Sequence, residues 1–277
     1  MLIVFYRLFT FAWTLLVFAI FESAVAISYV RNTEEWYKTV PDHETGIKVA
    51  LWTKEMNINP EELGSYFEGD IMITGNTKRN GDTNENLRWS NGIIPYIIAD
   101  HFDDNQLELI NGVMDDYFNR TCITFVLRTD EEDYINIVSD NTGCSSNIGK
   151  IGGEQKVHLQ IPGCVTLRGT VIHELLHVVG FWHEHTREDR DNYVHINWDN
   201  IEEETKKNFV KNDPGVTYTY GVPYDYGSVM HYSAYSFAKN NTIKTIIPTK
   251  DPNALIGQRQ GFSDSDILKV NKMYNCI

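Results

Sequence analysis

The chain has 277 residues, 42% hydrophobic and 22% charged, the balance of a globular protein with one large domain or two small ones. A formal net charge of −14 excludes a nucleic-acid binder, which needs a basic face to meet phosphates. It does not name a partner, because an acidic surface is usually a solvated one.

In chain order, Arg7 precedes an apolar run over residues 8–21, and Ala24-Val25-Ala26 is a small-x-small cleavage site. Residues 1–26 therefore read as an export signal cut after Ala26. No later run is long and apolar enough to span a bilayer, so the expected product is soluble, secreted and extracellular. Residues 27–79 contain no cysteine and end in the basic, turn-forming Thr77-Lys78-Arg79-Asn80-Gly81-Asp82. That suits a pro-segment removed by an activating protease near Arg79, ahead of a catalytic domain at 80–277.

Residues 89–100 (WSNGIIPYIIAD) open that domain as a strand. Leu107, Ile110, Met114, Tyr117 and Phe118 recur at helical spacing behind the acidic start Asp103-Asp104. Residues 123–128, 134–139 and 156–161 are strand candidates, alternating or rich in β-branched side chains. A second helix begins near Gly169-Thr170, runs through His177 and stops at Gly180. Residues 199–211 and 263–275 are further helix candidates, the latter with Ser263 and Asp266 at capping-box spacing. There are no repeats, and the class is α+β. Cys122, Cys144, Cys164 and Cys276 suggest two disulfides in an exported chain, with three pairings open. Asn119 and Asn240 head glycosylation sequons.

The chemistry concentrates in residues 171–183. His173 and His177 stand four apart, which on a helix puts both imidazoles on one face. A catalytic zinc takes three protein ligands and keeps a place for water. His183 supplies the third if the chain turns back at Gly180, where glycine tolerates the conformation that ends helices. Glu174 follows the first ligand and can approach the zinc-bound water as general base. Zinc lowers the pKa of that water from ~15.7 towards about 7, so a carboxylate can take its proton and hand it to the leaving amine. A bare H-E-x-x-H is a weak signal, but the added glycine and third histidine at fixed offsets give the extended pattern of metzincin zinc proteases.

Residues 169–191 (GTVIHELLHVVGFWHEHTREDRD) resemble the long signature of the astacin family of metzincins, and Ser228-Val229-Met230-His231-Tyr232 resembles its Met-turn. The resemblance extends from Arg79 to the end. It implies a two-lobed α+β catalytic domain, with a twisted, mostly antiparallel-edged sheet, a zinc helix, a C-terminal helix and one zinc. Met230 is then an apolar floor beneath the metal. Tyr232 is a further ligand that swings away to stabilise the oxyanion. Glu184 is a structural partner of the mature N-terminus. The family pattern pairs Cys122 with Cys276 and Cys144 with Cys164, and matches residues 156–161 to the edge strand that pairs with extended substrate. Phe67-Glu68-Gly69-Asp70 resembles the pro-segment switch in which the aspartate sits on the zinc and silences the precursor. The end one residue after Cys276 is similar to the minimal form of the family.

The function expected is therefore secreted endoproteolysis of protein or peptide substrates, digestive or specific. An inactive binding module on the same scaffold is disfavoured by the intact Glu174 and ligands. Ile256-Gly257-Gln258-Arg259 resembles a segment placing arginine by the pocket for the residue after the cut, which would favour Asp or Glu there. His43, His101, His158, His185 and His195 fit no constellation.

Overall fold

The computed structural model describes residues 43–73, 85–212, 219–240 and 242–276. The leader, its cut after Ala26, and the activation segment with Arg79 and Asn80 lie outside the described residues.

Helix α1 (His43–Ala50) and a 3-10 turn at Pro60–Leu63 belong to the stretch upstream of the catalytic domain. Next come β1 (Ile93–Ile98), α2 (Asp104–Arg120), β2 (Thr124–Leu127), β3 (Tyr134–Val138), β4 (Cys144–Ser145) and β5 (Glu154–Leu159). They are followed by α3 (Arg168–Val179), β6 (Val194–Ile196), β7 (Ile246–Pro248) and α4 (Asp264–Met273). The five-stranded sheet has the order β2-β1-β3-β5-β4 and is parallel except for β4, which pairs antiparallel to β5.

Two expectations need correction. Residues 156–161 are not an edge strand, because β5 is flanked by β3 and β4, and β4 forms the edge. At two residues, β4 is too short to leave a period-2 signal. Residues 199–211 do not form one helix but two 3-10 segments, Trp198–Asn200 and Glu203–Phe209. Between them Ile201 is fully buried and bridges Ala238, and Glu202 N donates to Phe237 O, so pairing with a distant segment wins over helix propagation.

The remaining boundaries follow local chemistry. Asp103 caps α2 in a capping box with Gln106, and Ser263 caps α4 with Asp266. Helix α3 is buried from Gly169 to Val179, so its apolar residues cover every side rather than one stripe. It packs in the main core with Ile94, Ile135, Ile137, Val157 and Leu159 of the sheet. Gly180 ends it at φ +125, where its N–H donates to Leu176 O and His177 O. A Cβ there would fall 2.6 Å from Met273 Cε, so both conformation and space call for glycine. The disulfides are Cys122–Cys276 and Cys144–Cys164, the pairing the resemblance implied.

Candidate metal centre and its surroundings

His173 and His177 project from one face of α3, and the turn at Gly180 brings back His183. The Nε2 atoms of all three meet a carboxylate oxygen of Asp70, with every candidate ligand atom within 4.8 Å of the others. Asp70 Oδ2 is 3.0 Å from His173 Nε2, and Oδ1 is 3.4 Å from His183 Nε2 and 3.6 Å from His177 Nε2. All four residues are buried.

The outer nitrogens fix the tautomers. His173 Nδ1–H faces Val229 O at 2.9 Å, and His177 Nδ1–H faces Phe181 O at 2.6 Å. His183 Nδ1–H faces Glu68 Oε2 at 2.7 Å. Each imidazole thus donates outward and turns an Nε2 lone pair inward, as metal-ligating histidines do. Burial favours the neutral form of two of these rings: His177 is pushed below its ordinary value and His183 down to about 3. Three inward lone pairs and a carboxylate contain no donor, and His177 Nε2 and Asp70 Oδ1 have no hydrogen-bond partner. A cation resolves that conflict, and three nitrogens with one oxygen in tetrahedral number suit zinc.

Asp70 reaches the histidines from a tight turn. Tyr66 and Gly69 exchange two backbone hydrogen bonds of 3.1 Å, with Glu68 at φ +47 and Gly69 at φ +87. A Cβ on Gly69 would come within 3.3 Å of Glu61 O, so glycine lets the turn lie flat. Just beyond, Ser146 N donates to Asp70 O and Met72 N to Ser146 O, in a parallel bridge of Ile71 to Ser146. The upstream segment therefore adds itself to the sheet edge next to β4.

Glu174 is fully buried one residue after His173. Its Oε2 accepts from Ser146 Oγ at 2.8 Å, while Oε1 has no partner. Burial first, then the charges of Asp70 and Glu61, raise its pKa well above the usual carboxylate range.

The family profile described as Astacin (Peptidase family M12A) matches residues 81–275. The chain belongs to the astacin family. It is 42% identical over 226 residues to the low choriolytic enzyme of Oryzias latipes, which covers 79% of this chain and 81% of that one. It is 35% identical over 287 residues to zinc metalloproteinase nas-4 of Caenorhabditis elegans, covering 95% and 90%. Among solved structures it is similar to high choriolytic enzyme 1, a hatching enzyme zinc-protease from Oryzias latipes. There the TM-score is 0.64 at 43% identity, over 69% of this chain and 94% of that one. Family membership makes this chain a zinc metalloendopeptidase with protein or peptide substrates.

The other expected astacin residues are found as follows. Met230 is buried in a turn whose Val229 O orients His173. Tyr232 lies beside His183, with ring centroids 4.7 Å apart, but its hydroxyl donates to Glu68 O rather than joining the ligand group. Glu184 is held by Lys269 at 2.6 Å and Arg187 at 3.1 Å. Arg259 is buried and its Nε donates to Glu61 of the upstream segment. Gly169 N donates to Arg259 O at 2.9 Å, which sets this arginine at the start of α3. Asn119 and Asn240 are exposed.

Some participants carried no sequence signal. Ser146 holds the Glu174 carboxylate, and Glu68, read only as a neighbour of Asp70 in the switch motif, holds His183. Asp266, legible only as a helix cap, also accepts from Ser228 Oγ at 2.6 Å and Val229 N at 2.9 Å, pinning the turn whose Val229 carbonyl holds His173. His185, assigned nothing, stacks on Tyr232 at 3.7 Å between centroids.

Proposed function

We propose that this chain is a secreted zymogen of an astacin endopeptidase, with residues 27–79 as pro-segment and 80–277 as peptidase domain. The observation that carries this is Asp70, upstream of the family match, with its carboxylate on the three convergent histidines. His173, His177 and His183 hold zinc, and Asp70 takes the remaining place until a cut near Arg79 frees the segment. Two disulfides, which form in oxidising compartments, support export. Among the described residues no helix is long and apolar enough to cross a membrane.

When bound, zinc supplies Lewis acidity that polarises the scissile carbonyl and acidifies water. Glu174 receives a proton at the unpaired Oε1 while Ser146 steadies Oε2, and then delivers it to the leaving amine. Once the segment leaves, the Tyr232 O–H loses Glu68 O as acceptor and can donate to the developing oxyanion. Arg259 likewise loses Glu61, which favours an acidic residue after the cut.

The test is casein hydrolysis by the full chain before and after limited cleavage near Arg79, with and without 1,10-phenanthroline. Cleavage should switch activity on and the chelator should abolish it. Glu174→Gln should retain zinc yet lose activity by about 10²–10⁴-fold. In the uncut chain, Asp70→Ala should show activity that the parent lacks. An inactive cut chain with zinc in place would overturn the reading, as would Glu174→Gln at parental rate.

A further inference from the structure

Beside the metal centre is a small apolar cluster separate from the two larger cores. Ile71, Ile148 and Trp182 are its buried members, and Phe67 and Ile73 pack against them. Its composition divides cleanly. Ile148 and Trp182 belong to the family-matched domain, while Phe67, Ile71 and Ile73 come from the upstream segment. Phe67 meets the Trp182 indole edge-on, with centroids 5.9 Å apart and planes at 89°. Trp182 immediately precedes the ligand His183, and Ile148 lies two residues beyond Ser146, the residue that holds Glu174.

The backbone fixes what an occupant must do. Ser146 presents its N–H to Asp70 O and its C=O to Met72 N, and Asn147 Nδ2 donates to Met72 O at 2.6 Å. Any extended peptide added to this edge uses the same donors and acceptors, and strand geometry sends alternate side chains to one face. In the upstream segment, Ile71 and Ile73 are such an alternate pair, and they land on Ile148 and Trp182. Once residues 43–73 depart, those two side chains lose their cover, and exposed apolar surface favours an apolar replacement. Trp182 Nε1–H is buried without an acceptor, so an occupant bringing a backbone carbonyl would satisfy it as well.

We propose that Ile148 and Trp182 form a specificity pocket of the activated enzyme. It selects a bulky aliphatic or aromatic side chain at a substrate position before the scissile bond. The pocket complements Arg259, which contacts Glu61, a residue well before Asp70 in the chain, whereas the apolar pair chiefly meets residues after it. The inference rests on the peptidase reading, and the pro-segment is a cast of what the pocket accepts.

The test is cleavage of a randomised peptide library by the full chain activated by limited cleavage near Arg79. The parent, Trp182→Ala, Trp182→Phe and Ile148→Ser are compared through the ratio of rates for peptides differing only at one position. The parent should prefer Phe, Tyr, Leu or Ile over Ser or Asp by roughly tenfold at one position before the cut. Trp182→Ala and Ile148→Ser should each flatten that ratio, and Trp182→Phe should keep most of it. Should Trp182→Ala fail to fold, Ile148→Ser and Trp182→Phe decide the matter alone. Cleavage with no apolar preference before the cut, or a preference equal in parent and Ile148→Ser, overturns the pocket while leaving the peptidase reading standing. No cleavage of any peptide by the zinc-loaded parent overturns both.

Discussion

Residues 85–182 are held by a five-stranded sheet and two helices around side chains such as Ile94, Ile137, Val157 and Leu175. Among the described residues, 183–276 have one two-stranded sheet, a run of 3-10 turns and α4, and beside a smaller apolar cluster around Phe209 and Tyr224 they bury a set of linked polar contacts. Glu184 is gripped by Lys269 and Arg187, Asp266 by Ser228 and Val229, and His231 lies between Tyr224 and the Tyr232 carbonyl. Apolar contacts are non-directional and degrade by degrees, whereas a buried polar network fails abruptly when one member is lost. The candidate metal site sits at the junction: two of its histidines come from the helix of the first region, and His173 is oriented by the Val229 carbonyl of the second while His177 is held by Phe181 O of the first.

The sharpest way to break this comparison is Lys269→Met. It leaves Glu184 buried with one cation instead of two, and such a removal costs about 4 kcal/mol. Because Glu184 N donates to Met230 O next to the ligand His183, zinc should also leave faster in the presence of a chelator. Ile137→Ala in the first region should cost somewhat less, about 3 kcal/mol, by opening a cavity under the sheet. Its zinc release should match the parent. Urea unfolding and chelator-driven release measure both quantities. Equal zinc release in the two variants would mean that the second region does not orient the site.

This contrast also explains what could be foreseen. Helix α3, its stop at Gly180 and the capped starts of α2 and α4 were legible because periodicity, glycine and capping residues are local signals. The convergence of His173 and His177 was legible for the same reason, since helical spacing alone brings two imidazoles together. Strand β4 was invisible at two residues, and with it the edge where the upstream segment binds. Residues 199–211 carried a helical pattern that Ile201 overrides by pairing with Ala238. Ser146, His185 and Lys269 had no signal, because their roles arise from contacts across 28, 47 and 85 positions, which no local pattern encodes.

Acid should separate the regions again. His231 is fully buried, and burial pushes its pKa down to about 4 against an ordinary 6.5. The unfolded chain therefore takes up a proton that the folded chain refuses. The stability at stake is complete above pH 6.5 and is lost as pH falls towards 4, amounting to about 2 kcal/mol by pH 5. Urea midpoints at pH 7 and pH 5 should differ more in the parent than in His231→Gln. An identical pH dependence in both proteins would remove His231 as a cause.

The smallest effect asks whether the second region depends on polar contacts as such or on their burial. Lys206 and Glu203 form an ion pair with the same 2.6 Å separation as Lys269 and Glu184. The difference is solvent: the Glu203 side chain is 78% exposed and that of Glu184 only 4%. In water the Coulomb gain of an exposed pair is nearly offset by hydration and by the entropy of ordering two long side chains. Glu203→Ala should therefore leave the urea midpoint at the parent's value, and should leave zinc release untouched. A loss near that of Lys269→Met would show that charge pairing, not exclusion of water, holds this part of the molecule together.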